Sequence, residues 1–129
     1  IVKADSGITS CDDLAGKTIG VQLATTGDIY ASDDPNFGGV DQYNKGNDAI
    51  MALSQGKVDA VSIDNDPAKS FVSMTEGLMI LDTEYAVEEY AACIAKENTA
   101  LLEAVNKALA ELKADGILDA IVAKYISAE

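Results

Sequence analysis

Gly16-Lys17-Thr18-Ile19-Gly20-Val21-Gln22-Leu23-Ala24-Thr25-Thr26-Gly27-Asp28 decides the reading of the chain. It predicts a turn at Gly16 and a buried strand built around Ile19 and Val21. A polar turn of small and hydroxyl-bearing residues follows, with a helix from Thr26 or just after. A strand that enters a helix this way leaves backbone N–H groups and the positive end of a helix dipole at its carboxyl end, a place suited to a carboxylate or another small anion.

Working outward, Ser10-Cys11-Asp12-Asp13-Leu14 predicts a short helical turn, with Ser10 as cap and Asp13 in the capping-box place. Ile1-Val2-Lys3 reads as the tail of a strand. Downstream, Asp33-Asp34-Pro35-Asn36 breaks the first helix, and a strand from Gly39 to Tyr43 leads through Asn44–Asn47 to a helix with Ala49, Ile50 and Leu53 inward. Gly56 ends that helix. A third strand, Asp59–Asp64, precedes a helix that Asp66 would cap with Pro67 at its first position. That helix runs to about Thr75, and Leu78–Leu81 is a fourth strand. This alternation argues for an α/β fold whose mostly parallel sheet carries helices on both faces.

The last third differs. Tyr90–Ala95 is an apolar, extended-looking run. Asn98 opens a long helix striped by Leu101, Leu102, Val105, Ala108, Leu109 and Leu112, and a second helix after Asp115-Gly116 aligns Leu118, Ile121, Val122 and Tyr125. So much apolar stripe predicts that part of the natural packing partner of these helices lies elsewhere.

Composition bounds the function. The 129 residues suffice for one core. A net charge of −13 argues against nucleic acid or an anionic membrane as partner. No histidine is present, which removes the commonest general base and metal ligand. Cys11 and Cys93 are too few and too far apart for a metal cluster, and Cys93, in an apolar run, reads as a buried thiol, although the pair could join in an oxidising compartment. No stretch approaches a membrane span. The chain opens at Ile1 without Met, so it reads as processed or cut from something longer, and the lack of a signal peptide says little about export.

In an open parallel sheet, ligands sit beyond the carboxyl ends of the strands. Gln22 to Gly27, Tyr43 to Gly46 and Asp64-Asn65 all lie there. The first corner suits a carboxylate and the third an ammonium, so a free amino acid fits both. Blander roles compete. A Thr before a helix is more often only a cap. Asp64 could cap as well, but Asp66 is expected to fill that place, which frees Asp64 for a ligand. Tyr43 is more often a half-buried aromatic. Asp33-Asp34 lacks the alternating ligands of a calcium loop, and Glu88-Glu89 reads as a polar segment before a strand.

Asp13–Gln22 followed by Ala24-Thr25-Thr26-Gly27-Asp28 resembles the start of the second lobe of the extracellular solute-binding proteins of polar amino-acid ABC transporters. Gly56–Val61, Asp64–Ala68 and Asn98–Leu109 are similar too, in order and with compatible spacing. The resemblance implies a three-layer α-β-α lobe of the type II periplasmic-binding-protein fold, residues 1–95, with hinge strands near 1–3 and 90–95. It implies a helical segment, 96–129, that packs mostly on a first lobe not in this sequence. Thr25 and Thr26 would face the ligand's α-carboxylate and Asp64 its α-ammonium, with Gln22 and Ala24 along the cleft wall and Gly27 a further ligand-binding residue. Ala24 departs from the family's frequent Gly. The family needs no cofactor or metal. Its partners are a small amino acid and a membrane permease, and its place is extracytoplasmic. The chain alone is expected to bind weakly or not at all and to form a homodimer through its C-terminal helices. The competing functions are an enzyme of prephenate-dehydratase type, for which Asp64 is the sole cleft carboxylate, and a sensory receptor domain.

Overall fold

The computed structural model describes residues 1–87 and 91–125. They form two compact units, one of Ile1–Val87 and one that holds residues 91–125. Glu88-Glu89 and Tyr90, read as a polar segment and the start of an apolar run, lie outside the described residues. No strand forms over residues 91–95.

The first unit contains β1 (Val2–Lys3), a 3-10 turn (Cys11–Leu14), β2 (Thr18–Gln22), α1 (Thr26–Asp33), β3 (Gly39–Tyr43), α2 (Gly46–Ser54), β4 (Ala60–Ser62), α3 (Asn65–Met74) and β5 (Leu78–Met79). The sheet order is β3-β2-β4-β1-β5. β2 pairs in parallel with β3 and β4, whereas β1 runs antiparallel to both β4 and β5. The four strands joined through helices thus share one direction. β1 runs against them. β4 and β5 are shorter than the expected Asp59–Asp64 and Leu78–Leu81.

Strand alternation sorts the core into two layers. Ile19, Val21, Ala60 and Val2 face one cluster with Leu14 and Ala31. Val61 and Leu78 face the other, with Ala49, Ile50, Leu53 and Val58 from α2 and its exit. Gly20 points to this second face, where Val58, Val61 and Tyr43 close over it. Helices therefore cover both faces.

Local chemistry sets the boundaries. After α2, the N–H of Gly56 donates to Leu53 and that of Lys57 to Ala52, at 3.0 and 2.9 Å, with Gly56 at φ 72. This paired 5→2 and 6→1 bonding needs a left-handed residue, hence glycine. The expected start of α3 is corrected: Asp64, not Asp66, holds the N-cap position. Proline fits anywhere in the first turn, where N–H groups have no intrahelical partner, so Pro67 sits two positions deeper than expected. Asp66 is inside the helix and pairs with Lys69 at 3.0 Å, an exposed contact of small energetic weight.

Asp34, at the C-cap of α1, is tied into its loop. One oxygen accepts from the Asn36 backbone at 3.0 Å, the other from the Tyr85 hydroxyl at 3.1 Å, and Tyr85 stacks at 5.6 Å on Phe37. The Cys11 thiol is free and exchanges hydrogen bonds with Thr83. Cys93 is also free but exposed, contrary to the buried thiol its apolar neighbours predict.

The second unit holds α4 (Thr99–Ala114) and α5 (Ile117–Tyr125). Asn98 caps α4 by accepting from the Leu101 N–H at 3.3 Å, and Gly116 at φ 70 makes the turn. No residue of either helix is buried, and Leu101, Leu102, Leu109, Ile121 and Val122 are exposed.

Candidate functional site

Because β2, β3 and β4 are parallel, their carboxyl ends share one rim. Gln22 stands opposite Tyr43, and Val21 opposite Ser62. From this rim α1, α2 and α3 each start within four residues of their strand. Three helix N-termini therefore face one edge of a chain whose net charge is −13. The Thr25-Thr26 corner and the Asp64 corner both lie on it.

The first corner is built around a residue the sequence reading passed over. Asp28 is 6 % exposed. Its carboxylate accepts from the Ala24 N–H at 2.9 Å, the Gln42 amide at 2.8 Å and the Ser32 hydroxyl at 3.1 Å. Thr25 completes the knot: its hydroxyl donates to the Gln22 carbonyl at 2.8 Å and accepts from the Asp28 N–H at 3.3 Å. The signal was present in the spacing Thr25-x-x-Asp28, a capping-box pattern in which the acid reaches back to the residue before the cap. The bland reading of Thr25 as a cap therefore describes its hydroxyl, whose hydrogen is directed inward. Thr26, in the first turn of α1, is exposed.

These bonds hold the Asp28 carboxyl below its ordinary value of 3.8, the Gln42 amide contributing most. Asp13 and Asp34 are lowered likewise, first by the backbone N–H groups of Thr9 and Asn36. Folded values below the unfolded one add stability above about pH 3.8, and that contribution is lost as pH falls through the folded values. The urea midpoint should therefore fall between pH 4 and pH 2. Self-repulsion of an acidic chain relaxes over the same range, so the diagnostic is a difference: Asp28→Asn should start lower at pH 7 and show a shallower acid limb than wild type.

Ala24 takes φ 61, the left-handed region, and is the sole non-glycine there among the described residues. Left-handed backbone costs an alanine about 1–2 kcal/mol, and glycine's larger unfolded-state freedom offsets about 0.4–1 kcal/mol of any gain. Ala24→Gly is expected to raise stability by roughly 0.5–1 kcal/mol, read from urea unfolding.

At the other corner, Asp64 is exposed although it holds the N-cap position. Its backbone carbonyl accepts from Ala68 at 2.9 Å, but its carboxylate makes no cap hydrogen bond and no ion pair with any described residue. The premise that Asp66 relieves Asp64 of capping was wrong, yet the side chain is unengaged all the same. Gln22 is half-buried, its side-chain oxygen beside buried Gly46 at the start of α2: a Cβ there would meet Gln22 Oε1 at 3.4 Å and Ile63 Cδ1 at 2.9 Å. Gly27, in the first turn of α1, lies against Ser62.

A sequence model of bacterial extracellular solute-binding proteins, family 3, matches residues 17–128. The chain is 30% identical over 131 residues to the L-cystine-binding protein TcyJ of Escherichia coli, covering 100% of this chain and 49% of that protein. Among solved structures, a mutant of ArgBP from T. maritima superposes with a TM-score of 0.72 at 36% identity, over 96% of this chain and 55% of that one. The separately crystallised domain 2 of the same protein matches at TM-score 0.59 and 34% identity, over 67% of this chain and 95% of that domain. The chain spans about half the length of the curated relatives it matches.

Proposed function

Since the chain belongs to the bacterial extracellular solute-binding proteins of family 3, we propose that it is one lobe of an amino-acid-binding clamp that captures its ligand for an ABC transporter and performs no chemistry. The observation that carries this reading is the shared rim: parallel strands bring the first turn of α1 and the unengaged Asp64 carboxylate to the same edge. Thr26 and Gly27, in the turn capped by Thr25, receive the α-carboxylate, Asp64 receives the α-ammonium, and Gln22 and Ala24 line the wall. The relatives are named for binding L-cystine, arginine and histidine, all zwitterions at the α-carbon.

On this reading the apolar stripes of α4 and α5 pack on the complementary lobe in the full-length protein, which works outside the cytoplasm with a membrane permease. In the 129-residue chain alone, pairing of two copies through these helices covers them instead. A single lobe also forfeits the closure that excludes water from the ligand. Calorimetric titration with L-arginine, L-histidine, L-glutamine and L-cystine tests the function. Saturable binding of at least one is expected for the full-length polypeptide, and little or no heat for the 129-residue chain. Micromolar binding by this chain as a proven monomer defeats the single-lobe reading, and sedimentation showing only monomer at high concentration defeats the dimer.

A further inference from the structure

We propose that Ser62 is a further ligand-contacting residue, its hydroxyl donating to the α-carboxylate of the bound amino acid across the gap that Gly27 leaves open; this rests on the function proposed above. Ser62 ends β4 beside Val21, on the rim between the two corners. By strand alternation it shares a face with Ala60, in the apolar layer that also holds Ile19 and Val21. A hydroxyl in that row adds nothing to the layer's packing, and a β-branched apolar residue would suit the strand better. Nor does the hydroxyl serve the fold by bonding, since among the described residues it makes no hydrogen bond and is only half-buried.

Gly27 is the second anomaly. It occupies the first turn of α1, where glycine weakens a helix relative to alanine. Its φ lies outside the left-handed region, so the backbone does not demand glycine. A Cβ built on it would rest 3.4 Å from both the carbonyl oxygen and the Oγ of Ser62, ordinary contact that alanine could make. An alanine there would fit and would strengthen the helix, but it would cover the Ser62 hydroxyl. Two adjoining residues that each weaken their own element mark a place where local preference yields to function. Together they give an open donor beside the N-terminal turn of α1.

The test uses the full-length polypeptide and whichever of L-arginine, L-histidine, L-glutamine and L-cystine it binds most tightly, together with the α-carboxamide of that amino acid. Loss of one hydrogen bond to a charged group predicts that Ser62→Ala binds the amino acid about 10-fold more weakly or worse. For the carboxamide, whose carbonyl is a neutral and weaker acceptor, the same variant should cost clearly less, a split that a general loosening of the fold would not produce. Gly27→Ala leaves Ser62 in place and shuts the gap: it should weaken amino-acid binding while its urea midpoint holds or rises, and should Ser62→Ala fold poorly, Ser62→Val, which fills the strand position without a donor, is read in its place. Wild-type affinity in both variants, or equal losses for acid and carboxamide, overturns the role of Ser62. If wild type binds none of the four amino acids, the proposed function itself falls, and this inference with it.

Discussion

Leu53→Ala should lower the unfolding free energy by about 2–5 kcal/mol, the range for a large-to-small change at a site that cannot collapse. Leu53 is 0 % exposed on α2. It packs in the layer formed by Ala49, Ile50, Val58, Val61 and Leu78, so its loss opens a cavity between helix and sheet. The neighbouring Met51→Ala is the internal control. Met51 is 58 % exposed on the same helix, and alanine keeps helix propensity, so a change within about 0.5 kcal/mol is expected. Both are read from urea midpoints at constant m. A natural domain carries only about 5–15 kcal/mol of stability, so the Leu53 variant stands near the edge of folding. Equal effects from the two variants would mean that α2 does not hold the sheet as described.

Leu53 was legible because helical periodicity and a terminating Gly56 are short-range signals, and the structure keeps Ala49, Ile50 and Leu53 inward. The same holds for Ile19 and Val21, and for the caps at Thr25 and Asn98. What the sequence hides is pairing across distance. No local pattern shows that β1 slips antiparallel between β4 and β5, since two residues carry no directional signal. Nor does any pattern show that Gly38 must lack a side chain: a Cβ there would overlap the Gly16 carbonyl oxygen, where the two segments cross through the Gly38 N–H and the Lys17 carbonyl at 2.8 Å. Asp28 was missed for a related reason. The spacing from Thr25 announces a cap, but the bond from Gln42 that fixes the carboxylate arrives from β3. Asp66-Pro67 misled in the opposite sense, since a local rule for helix starts pointed two residues too far along. The corners themselves were found because strand-to-helix turns are local, and their convergence follows from parallel strands.

Asp64→Asn in the full-length polypeptide should weaken amino-acid binding by about 30-fold or more while leaving stability nearly unchanged. The asymmetry follows from what the side chain does. It donates to nothing, accepts from nothing among the described residues and forms no ion pair, so the fold loses no bond on replacement. Asparagine keeps the shape and is as good an N-cap residue as aspartate. The one expected cost is the loss of a negative charge beside the N-terminus of α3, a few tenths of a kcal/mol at an exposed site. Binding is another matter. Under the proposed function the α-ammonium leaves water on closure and meets either a carboxylate or a neutral amide, and losing the charge from such a pair costs about 2–5 kcal/mol, which at 1.4 kcal/mol per tenfold is a factor of about 30 or more. Isothermal titration beside urea unfolding separates the two. Unchanged affinity would remove Asp64 from the site, and with it the two-cornered grip on a zwitterion. A matched loss of affinity and stability would instead mean that the carboxylate supports α3 and touches no ligand.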